Sequence, residues 1–358
     1  MELHLRQLNI FPIIRKIHIS QSTIAEHPSN MPQSTDLRTH LNSLVPSSYP
    51  QLRDSVLPQL LASIHTIAGH LRTSPSVTQV GTANAFGDDQ LNVDVLAEEA
   101  IRKTISSCPS IVTASSEEDP VEKSSKSTSR SENQGTEVYT LGFDPLDGSS
   151  IIAPNWSVGT IIGVWEGASA LHQSPNDKQI ASILGVLGPR TTAVVAIRLP
   201  GTEGSCFEVG YADDGTMQVI RPEVKLTQAS EVKTRYFAPA NMRAAAEDQR
   251  YLNLINRYIT QKYTLRYSGG LVPDVVHALV KGHGVYVSPV TAQSKAKLRR
   301  LYELAPIALI MECAGGAALD SATGKRVLET PVEDTDERGG LICGNKDEVE
   351  AVRKALLE

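Results

Sequence analysis

The sequence predicts an α/β fold in which helices are layered with mixed β-sheets. Segments with apolar residues at helical spacing alternate irregularly with short β-rich runs. Several of those runs follow one another through tight turns, which produces antiparallel hairpins and excludes a simple parallel sheet. With 358 residues, the chain is long for one core and indicates two packed domains or a large two-part unit.

Composition excludes several classes of protein. Lys and Arg total 34 and Asp and Glu total 40, which gives a net charge of −6, whereas nucleic-acid binding needs surplus cations. No apolar run approaches the roughly 20 residues that span a bilayer. The cysteines are far apart and favour a reducing compartment, the cytoplasm, over a disulfide framework or a zinc site. They are Cys108, Cys206, Cys313 and Cys343.

Residues 1–40 differ from the rest of the chain. The segment His27–Asp36 contains two prolines and little to bury, so we expect a disordered tail. Because Met1–Glu26 is basic and poor in acids, an organelle-targeting peptide is the alternative. We expect the two domains to cover residues 41–222 and 223–358.

In the first half, apolar residues three and four apart predict helices over Tyr49–Ile67 and Leu91–Ile105. A serine-rich segment without apolar residues, Lys123–Gly135, should be a solvated loop. The β-rich runs predict strands at Ile111–Thr113, Val138–Phe143, Val158–Trp165, Thr191–Leu199, Ser205–Tyr211 and Thr216–Ile220.

In the second half, four helices are predicted. A helical pattern covers Ala244–Ile259, and Pro273–Lys281 is a short helix with proline in its first turn and Gly282 at its end. The segment Ala305–Ala314 is apolar on nearly every side, which predicts a buried helix. Asn345 and Glu348 have the spacing of a capping box for a last helix.

Acidic residues stand at the ends of several of these elements. They are Asp88, Asp89 and Asp94, then Glu117 and Glu118, then Asp144 and Asp147, and finally Glu303. Each acid taken alone could be a surface residue, a helix cap or part of a loop. The alternative is a shared site, which requires the ends of the elements to meet.

The segment from Asp144 to Ser150 favours the shared site. Two carboxylates three residues apart flank a proline-fixed turn at a strand end and can point to the same side. Gly148 lets the backbone approach an anion, and the amides and hydroxyls that follow offer hydrogen-bond donors. Hard cations such as Mg²⁺ prefer carboxylate oxygens and are completed by substrate phosphate. The segment therefore predicts a site for metal and phosphate.

Gly142–Gly163 resembles the signature of class I fructose-1,6-bisphosphatases and their sedoheptulose-1,7-bisphosphatase relatives. Further segments follow in the family's order, and the resemblance covers about residues 50–350. These segments are Phe86–Ala97, Ser116–Glu118, Gly188–Thr192, Leu265–Asp274 and Lys295–Glu303. The resemblance implies a sugar-phosphatase fold and a phosphoric monoester hydrolase.

The resemblance also implies roles for the acids. Two or three Mg²⁺ ions, or Mn²⁺, would be held by Glu117, Glu118, Asp144, Asp147, Glu303 and the carbonyl of Leu146. Glu118 and Asp94, supported by Asp88, would activate the attacking water. The scissile 1-phosphate would be bound by Asp147, Gly148, Ser149 and Ser150. These roles place the metal and the scissile phosphate in the first domain.

The second domain would bind the sugar and the distal phosphate. The resemblance implies Asn241, Arg243, Arg266 and Tyr267 for the distal phosphate. Lys297 and Arg299 would contact the sugar phosphates or the metal-binding carboxylates. In the family, the arginine that corresponds to Arg266 often reaches in from a neighbouring subunit, which implies a homo-oligomer, a dimer or tetramer.

Within the family, GPRTT at 188–192, SSII at 149–152 and RYSGGLVPDV at 266–275 look most like the sedoheptulose-1,7-bisphosphatases. The resemblance therefore implies hydrolysis of the 1-phosphate of sedoheptulose 1,7-bisphosphate. Fructose 1,6-bisphosphate is the first alternative substrate, and an inositol or nucleotide phosphate is another. A non-catalytic protein that binds sugar phosphates is the alternative from a different class.

Overall fold

The computed structural model describes residues 35–83, 89–125 and 137–358. Its α-helices are α1 (Leu37–Leu44), α2 (Leu57–Thr73), α3 (Asn92–Ser107), α4 (Ser149–Ile152), α5 (Pro175–Lys178), α6 (Gln249–Thr260), α7 (Leu271–Lys281), α8 (Ala305–Cys313) and α9 (Lys346–Leu357). Two π-helical turns, Leu52–Val56 and Arg300–Leu304, lead directly into α2 and α8. Short 3₁₀ turns cover Ala229–Glu231, Met242–Ala246 and Val327–Glu329.

The strands form one large sheet, one smaller sheet and two short pairs. They are β1 (Thr35–Asp36), β2 (Gln79–Ala83), β3 (Asp89–Leu91), β4 (Ile111–Ser116), β5 (Lys123–Ser124), β6 (Tyr139–Asp147), β7 (Val158–Glu166), β8 (Gln179–Leu187), β9 (Thr191–Ile197), β10 (Ser205–Tyr211), β11 (Met217–Arg221), β12 (Tyr236–Pro239), β13 (Thr264–Leu265), β14 (Val285–Ser288), β15 (Leu298–Arg299), β16 (Ala317–Asp320), β17 (Arg338–Gly339) and β18 (Leu341–Gly344).

Both large sheets are mixed. The nine-stranded sheet has the order β1-β11-β10-β9-β8-β7-β6-β4-β5, in which β4 and β6 are parallel and the other pairs antiparallel. The five-stranded sheet has the order β13-β12-β14-β18-β16. Here β12 is parallel to both of its neighbours, and β18 is antiparallel to β14 and β16. The predicted fold class is confirmed.

Five alternating layers of helix and sheet pack together through three hydrophobic cores. Neighbouring residues of a strand point to opposite faces, so Ile162 of β7 packs in the core with α2 and α3, whereas Ile161 packs in the core with α7 and α8. That second core also takes side chains from one face of the smaller sheet. The other face of the smaller sheet packs against α6 and α9. Helices α7 and α8 therefore lie between the two sheets.

Several predicted elements are confirmed, but the strands of the smaller sheet were not predicted, and two segments in the first half also extend the fold beyond the prediction. Residues 35–40, which we assigned to the tail, contribute β1 and the start of α1, and Leu37 is buried. Residues 1–34 lie outside the described residues. The strand Gln179–Leu187 has no counterpart among the predicted strands. It is apolar and buried along nearly its whole length, so it lacks the alternation that marks a half-exposed strand.

The predicted capping box at the start of α9 is wrong. The Asn345 side chain makes no cap hydrogen bond. Its Oδ1 accepts from Gly284 N at 2.8 Å and its Nδ2 donates to the carbonyl of Thr227. Glu348 instead accepts from the Tyr263 hydroxyl at 2.6 Å. Both side chains therefore bind neighbouring segments rather than the first amides of their own helix.

The loop expected at Lys123–Gly135 begins as a short strand. Residues 123 and 124 form β5, which pairs with β4 at the sheet edge, and residues 126–136 lie outside the described residues. Gly282 ends α7 as predicted, with φ of +74°. Within the described ranges, no helix combines the length and the apolar character needed to span a bilayer. The strands of the larger sheet cover residues 35–221 and those of the smaller sheet 236–344, while the domain boundary at 222 stays a prediction.

Candidate active site

Strand β6 brings Asp144 and Asp147 to the same side of the large sheet. Two residues three apart on a regular strand would point to opposite faces. Here the pairing register with β7 shifts between Asp144 and Asp147, and such a bulge re-aims the side chains that follow it. The turn is fixed by Leu146 N, which donates to Asp144 Oδ1 at 3.0 Å, and by the Thr160 hydroxyl, which donates to the Pro145 carbonyl at 2.9 Å.

Glu303 completes a buried group of three acids. It lies in the π-helical turn before α8, and one carboxylate oxygen from each of Asp144, Asp147 and Glu303 lies within 4.8 Å of the others. Their exposed fractions are 4, 9 and 6%. A cluster of three carboxylates this close is strongly self-repelling when all three are ionised.

Burial dominates the titration of this group. It raises the pKa of Asp144 and of Glu303 well above the ordinary range, and the charge of Glu117 raises both further. Burial raises the pKa of Asp147 to about 7, against a hydrogen bond from Val272 N that lowers it. Without a cation, the group is therefore partly protonated at neutral pH, as expected for acids that need a counter-charge.

Glu117 and Glu118 follow β4, next to the end of β6. The two strands are parallel, so their carboxyl ends meet at one edge, and Glu117 N donates to the Phe143 carbonyl at 3.0 Å. The Arg299 guanidinium donates through Nη1 to Glu117 Oε1. Burial raises the pKa of Glu118 to about 7, although a hydrogen bond from Gln90 at 2.5 Å lowers it.

Asp94 lies in the first turn of α3 and is 3% exposed. Its Oδ2 accepts from Leu91 N at 2.9 Å, while its Oδ1 is buried without a hydrogen-bond partner. Burial raises its pKa to about 6, and the charge of Glu117 adds to this. The charge of Asp94 also raises the pKa of Glu118. Asp88 lies outside the described residues.

The predicted phosphate-binding segment follows Asp147 directly. Gly148 has φ of +105°, a conformation that other residues rarely adopt. Ser149 and Ser150 are exposed at the start of α4. The Leu146 residue is fixed between the two aspartates, and the role of its carbonyl as a metal ligand stays a prediction.

Three of the four predicted distal-phosphate residues lie together. Asn241 has left-handed backbone geometry with φ of +53° before the 3₁₀ turn that carries Arg243. The Tyr267 side chain interacts with the backbone of Asn241 and with the charge of Arg243. The guanidinium of the neighbouring Arg266 packs over the Tyr236 ring at 5.7 Å. Arg266 and Tyr267 both line a cleft of about 1050 Å³.

The two cations before Glu303 have different surroundings. Lys297 is exposed, whereas Arg299 is 3% exposed and pairs with Glu117. The backbone N–H of Arg299 also donates to Glu303 Oε2 at 2.5 Å. Of the two roles considered for Arg299, the geometry favours contact with the acidic residues over contact with a sugar phosphate.

The first turn of α7 is a part of the site that sequence reasoning missed. Val272 N donates to Asp147 Oδ2 at 2.7 Å across 125 positions of sequence. The contact depends on Gly159 of β7, because a side chain there would place its Cβ 2.3 Å from Val272 Cβ. A glycine within a buried strand was the available signal, since it often marks a close approach of two backbones.

Comparisons with known proteins show which family the chain resembles. Residues 47–214 match the model of the N-terminal domain of fructose-1-6-bisphosphatase, and residues 230–357 match that of its C-terminal domain. The chloroplastic sedoheptulose-1,7-bisphosphatase of Spinacia oleracea is 36% identical over 298 residues, 82% of this chain and 71% of that protein. The class 1 fructose-1,6-bisphosphatase of Syntrophotalea carbinolica is 33% identical over 285 residues, 78% of this chain and 81% of that protein.

Solved structures give the same result. A Toxoplasma gondii protein provisionally assigned as a sedoheptulose-1,7 bisphosphatase superposes with a TM-score of 0.79 at 34% identity, covering 90% of this chain and 98% of that one. The fructose-1,6-bisphosphatase of Leishmania major in its holo form superposes with a TM-score of 0.77 at 25% identity, covering 90% of this chain and 99% of that one.

These findings define the class of the protein, a hydrolase of phosphoric monoesters. The chain belongs to the fructose-1,6-bisphosphatase family. The resemblance, the sugar-phosphatase fold and the enzyme class predicted from the sequence are confirmed.

Proposed function

We propose that the protein removes the 1-phosphate of sedoheptulose 1,7-bisphosphate with the help of Mg²⁺, giving sedoheptulose 7-phosphate and phosphate. The observation that carries this proposal is the buried group Asp144, Asp147 and Glu303. Directly after Asp147, Gly148 forms a left-handed turn, where the scissile phosphate would bind. The similarity to chloroplastic sedoheptulose-1,7-bisphosphatases supports the seven-carbon substrate.

The donor set fits a hard divalent cation. It offers carboxylate oxygens only, as Mg²⁺ and Mn²⁺ prefer, and Asp94 Oδ1 is buried without a partner. The Arg299 guanidinium pairs with Glu117 beside the buried acids. Asp144, Asp147 and Glu303 would hold the metal with Glu117, Glu118 and the Leu146 carbonyl. When bound, the cations would neutralise charge on the phosphoryl oxygens and lower the pKa of a coordinated water.

The remaining residues would bind the substrate and move a proton. The amides after Gly148 and the hydroxyls of Ser149 and Ser150 would hold the scissile phosphate. Glu118 would accept the proton of the attacking water, since a base with a pKa of about 7 suits this role near neutral pH. Asp94, supported by Asp88, would share the charge that then develops.

Recognition of the distal phosphate would make a bisphosphate the preferred substrate. Asn241, Arg243 and Tyr267 lie together, and Lys297 is exposed two residues before Arg299. Arg266 and Tyr267 both line the large cleft. We infer a homo-oligomer in which Arg266 acts on the neighbouring subunit, as the resemblance to the family implies. The four free cysteines suit a reducing compartment such as the cytoplasm.

Fructose 1,6-bisphosphate is the second candidate substrate. Class 1 fructose-1,6-bisphosphatases are also among the relatives, and the two ketoses present the same 1-phosphate. The deciding experiment measures kcat/KM on both bisphosphates and on an inositol monophosphate, with Mg²⁺ and with chelator. We expect the seven-carbon substrate to have the highest value and chelation to abolish turnover. Preference for the inositol monophosphate would overturn the sugar assignment, and Mg²⁺ binding without phosphate release would indicate a non-catalytic binding protein.

Asp147→Ala tests the site itself. Removing this acid should abolish turnover while the metal-free protein keeps its fold by circular dichroism, because the loss also relieves repulsion within the group. Asp214→Ala, in an exposed hairpin turn, is the control. An unchanged rate in the Asp147 variant would remove this site from consideration.

A further inference from the structure

The first turn of α7 contacts both halves of the scissile-phosphate site. Val272 N donates to Asp147 Oδ2 at 2.7 Å, which fixes that carboxylate from the second half of the chain. Two residues earlier, a Cβ on Gly270 would lie 3.0 Å from Ile151 Cδ1. The backbone of this turn therefore packs against α4, the helix that carries Ser150.

The loop that enters α7 carries two of the proposed distal-phosphate residues, Arg266 and Tyr267. It is tied to the helix by Asp274, which is 6% exposed. Asp274 Oδ1 accepts from Ser268 N at 2.7 Å and from the Ser268 hydroxyl at 2.8 Å. Its Oδ2 accepts from Gly269 N at 3.2 Å. One carboxylate thus fastens the loop directly after Tyr267.

This arrangement is more than a helix cap. The residue at the cap position, Gly270, has no side chain, and α7 begins without a side-chain cap. The acid that ties the loop instead lies inside the first turn, two residues after the Val272 amide that holds Asp147. Gly159 allows that turn to approach β7 so closely that no Cβ fits between them. Movement of the loop is therefore transmitted to Asp147 through a short and rigid connection.

We propose that Asp274 is a positioning residue that couples occupancy of the distal-phosphate site to the placement of Asp147, and so sets the preference for bisphosphates over monophosphates. The inference rests on the proposed function. A distal phosphate held by Tyr267 immobilises the loop. Because Asp274 ties the loop to the first turn of α7, that turn becomes less mobile as well. The Val272 amide of the same turn then holds Asp147 in place. Binding energy from a remote group is thereby used at the reacting centre.

Such coupling is reciprocal, which gives a test that does not depend on turnover. A ligand with only the distal phosphate must tighten metal binding by the same factor by which metal tightens that ligand. The probe is sedoheptulose 7-phosphate, and the readout is the Kd of Mn²⁺ from the electron paramagnetic resonance of the free ion. We expect a tightening of about fivefold or more in the unaltered protein, and less than about twofold in Asp274→Asn.

Asp320→Asn is the matched control. Asp320 is 8% exposed and accepts from two amides and a hydroxyl, those of its own turn at Ala322 and Thr323. In the Asp320→Asn variant, sedoheptulose 7-phosphate should tighten Mn²⁺ binding as much as it does in the unaltered protein. In steady-state assays, Asp274→Asn should also lower the ratio of kcat/KM for the bisphosphate to that for p-nitrophenyl phosphate by about tenfold. If it unfolds, Ser268→Ala removes one of the three hydrogen bonds and should give a partial loss in both measurements.

The outcomes separate this inference from the proposed function. If the protein hydrolyses the bisphosphate but Asp274→Asn keeps both the tightening and the selectivity, the coupling role is refuted and the function stands. The same conclusion follows if sedoheptulose 7-phosphate leaves the Mn²⁺ Kd of the unaltered protein unchanged. If the bisphosphate is not hydrolysed at all, the proposed function fails first. Equal losses in Asp274→Asn and Asp320→Asn would mark a general packing effect and would also refute the coupling role.

Discussion

In the absence of divalent cations, the protein should have a lower free energy of unfolding at pH 8 than at pH 5. Asp94 and Asp147 have pKa values of about 6 and about 7 in the folded protein, against 3.8 in the unfolded chain. A carboxyl with a raised pKa binds more protons when folded, so its stabilising contribution is complete below the unfolded pKa and is lost as pH rises through the folded pKa. The loss therefore falls between about pH 4 and pH 7.

The magnitude follows from these values. One pKa unit corresponds to about 1.4 kcal/mol, so between pH 5 and pH 8 Asp94 contributes a loss of about 1 kcal/mol and Asp147 about 3 kcal/mol. Unfolding entropy is about 2.1 cal/mol/K per residue. For a chain of 358 residues, a loss of about 4 kcal/mol from these two groups lowers Tm by about 5 °C. Glu118, whose pKa burial raises to about 7, adds to this loss.

Differential scanning calorimetry in chelator at the two pH values measures this shift. Adding Mg²⁺ should restore Tm at pH 8 and change it little at pH 5, because metal binds the deprotonated ligands of the folded state. Asp94→Asn should reduce the metal-free difference by about 1 kcal/mol, since it removes one titrating group and leaves an acceptor for Leu91 N. A metal-free Tm that is equal at both pH values, or higher at pH 8, would refute the reasoning.

Three further predictions concern single residues. Gly159→Ala should lower the free energy of unfolding by about 1–3 kcal/mol in urea titrations and reduce kcat, because its Cβ would overlap Val272. Gly69→Ala is the control, since open space surrounds it and the protein should not be destabilised. Equal effects of the two substitutions would contradict the argument. Glu118→Gln should lower kcat about 10²–10⁴-fold. Its Tm in chelator should stay unchanged at pH 5, where Glu118 is already protonated in the folded protein, and a rate within threefold would exclude it as the base. Asn345→Ala should lower the free energy of unfolding in urea titrations by about 2–3 kcal/mol, since it leaves buried backbone groups unpaired. Its kcat at 25 °C should stay unchanged. A loss of stability below about 0.5 kcal/mol would contradict the role of its side chain.

The sequence was most informative where chemistry is local. The pattern from Asp144 to Ser150 indicates a metal and phosphate site without a structure, because the two acids, the glycine and the hydroxyls lie within one turn. The alternation of helices and hairpins likewise predicts the layers. In both cases, the physical cause acts over a few residues.

Other features depend on contacts between distant segments. Asn345 has the right spacing for a helix cap, but its side chain is hydrogen-bonded to the backbones of Gly284 and Thr227. The contact between Val272 and Asp147 depends on the closeness of two layers, and no local pattern specifies that distance. Strand β8 was missed because burial on both faces removes the alternation that would reveal it.

The position of Glu303 has a consequence for synthesis on the ribosome. The other two acids of the buried group are complete at residue 147, so 156 further residues must be translated before the third exists. At about 5–20 residues per second, this delay lasts about 8–30 s. A nascent or prematurely terminated chain that ends before residue 303 lacks the complete group. Under the proposed function, hydrolysis therefore cannot begin before translation has passed residue 303.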